Sequence, residues 1–413
     1  MNFPLQSQTN SRRGIALLIT LVILALLAVF MTEFSFETKL ETRGIQNYQA
    51  SFKARNAVKS MFKAVLEGLE GQEEVKFFRQ YVWSLISIGN SGRDISILNP
   101  PNPVRLPAGV ISDFPDVSFY TPYIRPIDQL YNLNRIQPRS KTGIPESKSD
   151  VHLANQFINI LKKWNLSAKT QAGATFVTQN ITISENEILT IYTAIFDWMD
   201  KDLYIYDSSV YGTIGAETDT YLIADLPIEI KNGHLDQLNE IMLINGIENK
   251  RTPLELWDNS FTTYPVGNKY ESFADHTSIK PRINVNLATY EEIVEFLEQF
   301  DQFTNYFTNF SQSNYENNYA QNFYQKRNEI ADELTKLPRV ILSSNDIKNK
   351  LRKITQYYSK IHDYFTPYSY WYEIRLKTEI DNVIALVKAI VSVNRNNDTG
   401  KVTKLIIHDF LLQ

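Results

Sequence analysis

Six carboxylates in one short stretch are the side chains of this sequence best suited to chemistry. They fall within 23 residues and are Asp197, Asp200, Asp202, Asp207, Glu217 and Asp219. Clustered hard oxygen ligands suit Ca²⁺, which takes about six to eight of them in proteins. The loop of an EF-hand, with its Glu at the twelfth position, is absent from the stretch. It therefore predicts either a calcium site of another kind or an acidic loop that only water solvates.

Composition and motifs argue against most other chemistry. The chain has no cysteine, which excludes disulfides, thiolate metal sites and a cysteine nucleophile. The five histidines form no His-Glu-x-x-His pair, and no Gly-x-Ser-x-Gly, Gly-x-Gly-x-x-Gly or Walker loop is present. The net charge of −4 excludes a strongly basic nucleic-acid binder. We therefore predict that the protein is not an enzyme and has no nucleic-acid partner.

The first predicted element of the chain is an apolar segment. Ile15–Met31 contains no charge, and Thr20 is its only polar residue. As a helix it would be about 26 Å long, enough for the hydrocarbon core of a bilayer. Arg12 and Arg13 precede it without any acid, which predicts a cytoplasmic N-terminus and places the bulk of the chain on the other side of the membrane.

Three interpretations of this segment remain open from the residues alone. A plain signal anchor fits its length and composition. A cleaved secretory signal fits less well, because the segment ends in Thr32–Glu37 without a small-x-small cleavage site. The third interpretation is a leader of 14 residues that ends in Arg12-Arg13-Gly14 and is removed in front of Ile15.

The helix pattern continues after the apolar segment. Apolar residues recur at steps of three and four residues, with one six-residue step across Arg55, and they are Ile45, Tyr48, Phe52, Val58, Phe62, Val65 and Leu69. No proline occurs between Pro4 and Pro100. The pattern predicts one continuous helix from Ile15 to about Leu69, and a membrane helix followed by a separate second helix is the alternative.

The basic-basic-Gly leader followed directly by an apolar helix resembles the prepilin peptidase site of type IV pilins and type II secretion pseudopilins. The resemblance implies cleavage between Gly14 and Ile15 and N-methylation of Ile15. Most pilins carry Glu at mature position five, which is Ile19 here. A carboxylate there needs a partner, which in the family is the N-terminal amine of the neighbouring subunit above. The apolar Ile19 resembles the K-type minor pseudopilin, which lies at the tip of the pseudopilus with nothing above it.

Short motifs along the rest of the chain resemble the same K-type family in the same order. They are Asn132-Leu133-Asn134, the segment Ile195–Asp202, the segment Gly215–Tyr221, the stretch Leu235–Ile247 as a helix pair, Ile283–Ala288, and two strands within Ser369–Arg395. The sequence departs from the family pattern at Thr218, Leu287 and Tyr290. The Asn-, Gln-, Tyr- and Phe-rich segment 300–324 has no counterpart in the family.

The resemblance implies an α+β, pilin-like fold with a long N-terminal transmembrane and stalk helix, a small antiparallel sheet and a large inserted helical domain. The predicted divisions are a leader at 1–14, the long helix at 15–70, a first pilin-like part at 71–145, the inserted helical domain at 146–365 and C-terminal strands at 366–413. By motif match the calcium ligands would be Asp200, Asp202, Glu217 and Asp219, whereas Asp197 would only cap a helix end. Calcium would then be structural.

The implied function is that of a minor pseudopilin at the tip of the type II secretion pseudopilus, which initiates or caps the filament. Its partners would be the I- and J-type minor pseudopilins, the major pseudopilin, the prepilin peptidase and the inner-membrane assembly platform. It would be a single-pass protein of the bacterial inner membrane with its bulk in the periplasm. The alternatives are a minor pilin of a type IV pilus and a signal-anchored periplasmic protein of another function.

Overall fold

The computed structural model describes most of the chain in segments. These are residues 9–71, 74–78, 103–106, 113–136, 156–164, 183–199, 207–208, 213–216, 220–221, 228–247, 254–264, 281–298, 314–336, 342–355, 362–396 and 401–413. The candidate leader cleavage site lies in the first segment, where the backbone is described from Thr9 and the side chains from Leu17.

One helix dominates the N-terminal part. Helix α1 is continuous over Thr9–Gly71, about 95 Å at 1.5 Å per residue. It confirms the predicted single helix and extends it at both ends. Gly44 interrupts neither the helix nor its hydrogen bonding, because one glycine costs only about 1 kcal/mol in a helix interior.

The remaining elements alternate between short strands and helices. The first group is α2 (Glu74–Lys76), β1 (Ser118–Phe119), β2 (Tyr123–Pro126), β3 (Tyr131–Asn132), a 3-10 helix (Leu133–Arg135), helical residues 156–164 (α3), α4 (Glu185–Met199), β4 (Asp207–Ser208) and β5 (Thr213–Ile214). The second group is a 3-10 helix (Leu238–Leu243), α5 (Leu254–Ser260), β6 (Phe261–Thr262), β7 (Ile283–Asn284), α6 (Tyr290–Glu298), α7 (Asn314–Thr335), α8 (Ser344–Ile354), a 3-10 helix (His362–Tyr364), β8 (Phe365–Thr366), β9 (Trp371–Ile380), β10 (Val383–Arg395) and β11 (Val402–Leu412).

The main sheet is antiparallel and is formed largely by the C-terminal strands. Its order is β1-β9-β10-β11, and β2 also pairs with β9. Asp381 and Asn382 join β9 to β10 with φ of 49° and 65°, as a tight hairpin turn with two left-handed residues requires. The pair of strands predicted within Ser369–Arg395 is thereby confirmed.

Helix α1 packs on this sheet through small residues. Ala50, Ala54 and Ala57 are buried at the contact, and their short side chains allow a close approach of the helix backbone to the sheet. Thr378 Oγ1 of β9 donates to the Ala54 carbonyl at 2.9 Å. The apolar core under α1 also includes side chains from α6, α7 and α8.

A second apolar core lies in the helical part of the chain. It is formed by side chains from β3, α3, α4, α5 and β6, with Phe157, Trp257 and Phe261 at its centre. The sequence also predicts helices at 153–164, 188–199, 290–300 and 329–337, and each of these ranges overlaps a helix of the structure. The structure thus confirms the predicted α+β class, with a long apolar N-terminal helix, a small antiparallel sheet, and helices between β2 and β9.

One predicted helix pair takes a different form. The stretch Leu235–Ile247 forms a single 3-10 helix followed by a turn in which Gly246 has a φ of 83°. Glu240 accepts hydrogen bonds from the backbone N–H groups of Asp236 and Gln237, both at 2.9 Å. These local bonds at the start of the segment favour the short, tight helix.

An asparagine turn links the start of the helical part to its middle. Asn132 Oδ1 accepts from Asn134 N at 2.9 Å. The Asn134 amide then donates to the carbonyls of Leu235 and Thr263 at 2.9 and 2.7 Å, and its Oδ1 accepts from Leu235 N at 2.8 Å. One buried amide therefore holds together segments that lie more than a hundred residues apart.

A second turn repeats this arrangement. Asn284 Oδ1 accepts from Asn286 N at 3.0 Å. The Asn286 amide donates to the carbonyls of Leu342 and Pro367 at 3.0 and 2.9 Å, and its Oδ1 accepts from Leu342 N at 2.8 Å. Each turn follows a two-residue strand that pairs in parallel with a Phe-Thr strand, β3 with β6 and β7 with β8. The helical part therefore contains two copies of one hydrogen-bonded unit.

Buried charge fixes the return of the chain from the helical part to the sheet. Glu74 of α2 accepts from Ser369 N at 3.1 Å, from Asn284 Nδ2 at 3.1 Å and from the Tyr372 hydroxyl at 2.5 Å. Burial, and then the charge of Glu74, raises the pKa of Tyr372 well above its usual range. The phenol therefore stays protonated and remains a donor to the carboxylate.

A second carboxylate holds the next two backbone groups of the same loop. Asp128 Oδ2 accepts from Tyr370 N at 3.0 Å and from Trp371 N at 3.2 Å. Desolvation of the carboxyl raises the pKa of Asp128 from 3.8 to about 7, against the two backbone hydrogen bonds. Glu74 raises that pKa further and Arg282 lowers it, and both effects are smaller.

The raised pKa of Asp128 predicts a specific pH dependence of stability. Because the folded state binds the proton more tightly than the unfolded state does, stability from this group is full below about pH 4 and is lost as the pH rises to about 7. Asp128→Asn keeps an oxygen that accepts both N–H groups and removes the titration. We expect the variant to match the wild type in melting temperature at pH 4.5 and to exceed it by a few degrees at pH 8. A variant that is less stable than the wild type at pH 8 would contradict this account.

Candidate membrane anchor and assembly helix

The first part of α1 presents apolar side chains without any protein cover. From Leu17 to Met31 every described residue is exposed, and large side chains such as Leu17 and Met31 are more than 70% exposed. By length and composition, α1 is the one helix among the described residues that could cross a membrane. Exposure of this much apolar surface to water is unfavourable by about 25 cal/mol per Å², so the segment requires lipid or another protein around it.

The residues of the predicted processing site lie on the same helix. Gly14 and Ile15 are helical in their backbone, and their side chains lie outside the described part of the chain. Ile19 is described and is 52% exposed. The side chain at this position is therefore apolar and uncovered, and it carries no carboxylate that would need an amine.

The second half of α1 has two different faces where the sequence showed one stripe. Val58, Phe62, Val65 and Leu69 are buried against the sheet. Before the six-residue step at Arg55, the apolar residues of the stripe are instead exposed. At 100° per residue, that step rotates the stripe by about 120° around the helix axis. The polar interruption at Arg55 marks the change of face.

The exposed apolar face forms a defined patch on the stalk. Ile45, Tyr48 and Phe52 are 58%, 72% and 59% exposed, and their spacing of three and four residues places them on one side of the helix. We call these three residues the outer apolar patch. The sheet of the chain itself lies on the opposite side, on Ala50, Ala54 and Ala57, and so it cannot cover the patch.

Most of the predicted calcium ligands fall outside the described residues, namely Asp200, Asp202, Glu217 and Asp219. Asp197 is described, and it lies within α4 as a fully buried side chain. A Cβ added to Gly215 would come within 1.8 Å of Asp197 Oδ2. The carboxylate therefore occupies the space that the missing side chain of Gly215 leaves. The described residues contain no group of three or more metal-ligating side chains.

This contact joins the two arms of the predicted calcium loop. Asp200 and Asp202 follow Asp197 by three and five residues, and Glu217 and Asp219 follow Gly215 by two and four. Each of the four predicted ligands is thus within five residues, along the sequence, of one of the two residues in contact. The sequence predicts that Asp197 caps a helix end, and the structure places it in the last turn of α4 with its carboxylate against Gly215.

Comparisons with known proteins found matches among solved structures alone. No family model and no curated protein matches the chain. Among solved structures, the chain is similar to one in the crystal structure of the GspK-GspI-GspJ complex from the type 2 secretion system of enterotoxigenic Escherichia coli. The sequence identity is 12% and the TM-score is 0.46, over 89% of this chain and 99% of that chain.

The Asp197–Gly215 contact predicts a large effect of one methyl group. Gly215→Ala forces its Cβ against the buried carboxylate, so either the carboxylate or the loop must move. We expect a loss of about 2 kcal/mol in the free energy of unfolding, measured by urea denaturation. Gly233→Ala is the matched control, because its Cβ would meet nothing closer than the Lys231 carbonyl at 3.7 Å. Equal stability of the two variants would contradict the assigned contact.

Proposed function

We propose that the protein is a minor pseudopilin that acts at the tip of a type II secretion pseudopilus, where it initiates or caps the filament with other minor pseudopilins. Such a filament serves the export of folded proteins across the outer membrane. The role is one of structure and assembly, and it requires no catalytic residue. The chain would be anchored in the bacterial inner membrane with its N-terminus in the cytoplasm and its bulk in the periplasm.

The observation that carries this proposal is the construction of α1. One helix holds an uncovered apolar segment of membrane-spanning length and then packs its continuation on an antiparallel sheet. The outer apolar patch on the same helix faces away from that sheet. A soluble enzyme with a simple anchor needs the first of these features, but it needs neither the rigid continuation nor the patch.

Ile19 supports a position at the tip. A carboxylate inside the apolar segment is costly unless it is paired, and a subunit in the middle of a filament can pair it with the amine of the subunit above. A terminal subunit has no such partner and is better served by an apolar side chain. The helical part, which lies between β2 and β9, would add the bulk that prevents a further subunit from stacking above.

We also propose a structural Ca²⁺ on the loop that Asp197 and Gly215 hold together. Asp200, Asp202, Glu217 and Asp219 would supply the hard oxygen ligands that Ca²⁺ prefers. Bound calcium would neutralise their mutual repulsion and cross-link a loop that no disulfide can hold, since the chain lacks cysteine. Asp197 would act by positioning the arms of the loop.

Two alternatives share part of this support. A minor pilin of a type IV pilus would also have the leader and the helix, but Ile19 and the helices between β2 and β9 favour the secretion pseudopilus. A periplasmic protein on a plain anchor would keep its first residues. Processing of the N-terminus separates this last case from the other two.

The mature N-terminus tests the proposal directly. In cells that contain a prepilin peptidase, we expect intact-mass and peptide spectrometry to find Ile15 as the first residue, carrying one N-methyl group. Gly14→Val should leave the leader in place, because the peptidase in this family cuts after Gly. Serine substitution of Asn10 serves as a control and should be processed normally. A mature chain that keeps all 14 leader residues would exclude the pseudopilin function.

Calcium binding is tested separately by isothermal titration of the full chain in detergent. We expect measurable heat on addition of Ca²⁺ and a rise in melting temperature, since a ligand that binds only the folded state stabilises it. Asp200→Asn combined with Asp202→Asn should abolish both effects. Asp332→Asn, at an exposed position on α7, is the control and should change neither. Absence of heat and of any thermal shift in the wild type would refute the calcium site.

A further inference from the structure

Helix α1 leaves one strand of its own sheet half covered. On β11, four apolar side chains lie directly opposite core residues of β10 and therefore share the face that α1 covers, and these are Leu405, Ile407, Phe410 and Leu412. The Phe410 ring packs on Phe62 of α1 with 5.2 Å between centroids, which confirms the face. Yet Ile407 and Phe410 remain 42% and 43% exposed.

The exposure stops sharply at the neighbouring strand. Val391 and Ala389 of β10, which lie opposite Ile407 and Phe410, have no accessible surface. The helix therefore covers β9 and β10 and covers β11 only in part. The result is an apolar shelf that lies beside α1, with β11 as its floor. We call this surface the β11 shelf.

The wall of the shelf is basic. Arg55 lies two turns before Phe62, nearly in line with it along the helix, and Lys59 lies one turn before it. Phe62 of α1 contacts Phe410 of β11, so both cations belong to the side of the helix next to the shelf. Both are exposed, and neither forms an ion pair with another described residue.

Apolar and basic surface are continuous on this side of the molecule. The outer apolar patch begins one turn before Arg55 and continues the wall toward the anchor. A complementary surface would need apolar side chains along its length and carboxylates at the level of Arg55 and Lys59. An elongated shelf beside a helix, with this spacing of features, fits a second helix that runs alongside α1.

We propose that the β11 shelf and the outer apolar patch receive the N-terminal helix of a different membrane-anchored subunit, and that Arg55 and Lys59 pair with acidic side chains of that helix. This inference rests on the proposed function, because that function supplies anchored neighbours. Two helices that enter the same membrane from the same side run parallel. The partner would cover β11 in the way that α1 covers β9 and β10.

A second copy of this chain fits the shelf poorly. Side by side and in register, its Arg55 and Lys59 would face the same cations, and like charges at close range are unfavourable. Antiparallel pairing of two β11 edges would reverse the direction of one α1 helix, because α1 runs along the sheet in each copy. The two anchors would then point to opposite sides of the assembly.

Photocrosslinking in membranes tests the shelf. The photocrosslinker p-benzoylphenylalanine is placed at Ile407 of the full-length chain, which is co-expressed with differently tagged I- and J-type minor pseudopilins and the major pseudopilin. We expect crosslinks from Ile407 to one of these subunits. Ile384 is the matched control, because it is 48% exposed but lies on the opposite face of β10. We expect its yield to be clearly lower than that of Ile407.

Charge reversal tests the basic wall. Arg55→Glu combined with Lys59→Glu should reduce the crosslink from Ile407 by about fivefold, whereas Lys348→Glu combined with Lys353→Glu on the distant α8 should leave it unchanged. Equal crosslinking from Ile384, crosslinks only between copies of this chain, or no effect of the reversal would each overturn the inference. If the mature chain begins at Ile15 but the expected crosslinks are absent, the proposed docking on the β11 shelf is wrong and the pseudopilin function stands. If the leader is retained, the proposed function itself fails.

Discussion

The rest of the structure depends on one constraint, which is that α1 has more apolar surface than its own sheet can cover. Only the last third of the helix reaches β9 and β10, and there the alanines at 50, 54 and 57 allow close packing. The apolar segment before it, and the patch formed by Ile45, Tyr48 and Phe52, have no cover within the described chain. Lipid can cover the first segment because it is long enough to span a bilayer. The patch lies beyond that segment, and the proposed assembly role would supply a protein to cover it.

Buried polar groups then determine how the helical part is attached to this helix and sheet. Glu74, just after the long helix, and Asp128, after β2, together hold three consecutive N–H groups where the chain enters β9. The amides of Asn134 and Asn286 close the two repeated units behind it. Each of these groups is costly to bury without partners, and each has several. The attachment is therefore specific in geometry, and the charge of Asp128 makes it sensitive to pH.

Much of the fold could be predicted because its signals are local. The long helix and the main helices follow from the spacing of apolar residues and the absence of proline. The hairpin of β9 and β10 follows from its two strand patterns and the turn between them. The spacing of apolar residues predicts one stripe on α1, because period alone does not show that the six-residue step at Arg55 turns the stripe from the sheet to the outside. The motifs Asn132-Leu133-Asn134 and Ile283–Ala288 were recognised separately, but their equivalence was missed. The Phe-Thr pairs at 261–262 and 365–366 were the available signal.

The roles of Glu74 and Asp128 could not be predicted, because their partners are backbone groups more than 200 residues away. The predicted processing site and calcium ligands remain predictions.

A scan of α1 with single spin labels in lipid vesicles tests the central claim most directly. The absence of cysteine allows one label at a time between residues 17 and 69. We predict that labels from Leu17 to Met31 are accessible to oxygen in the lipid and protected from a water-soluble relaxant. Labels at Ala54 and Ala57 should be protected from both reagents, whereas those at Tyr48 and Phe52 should be open to the water-soluble one when no partner is present. Labels in the first segment that are open to water, or equal protection of Phe52 and Ala54, would contradict a single helix with a lipid-covered part and two distinct faces.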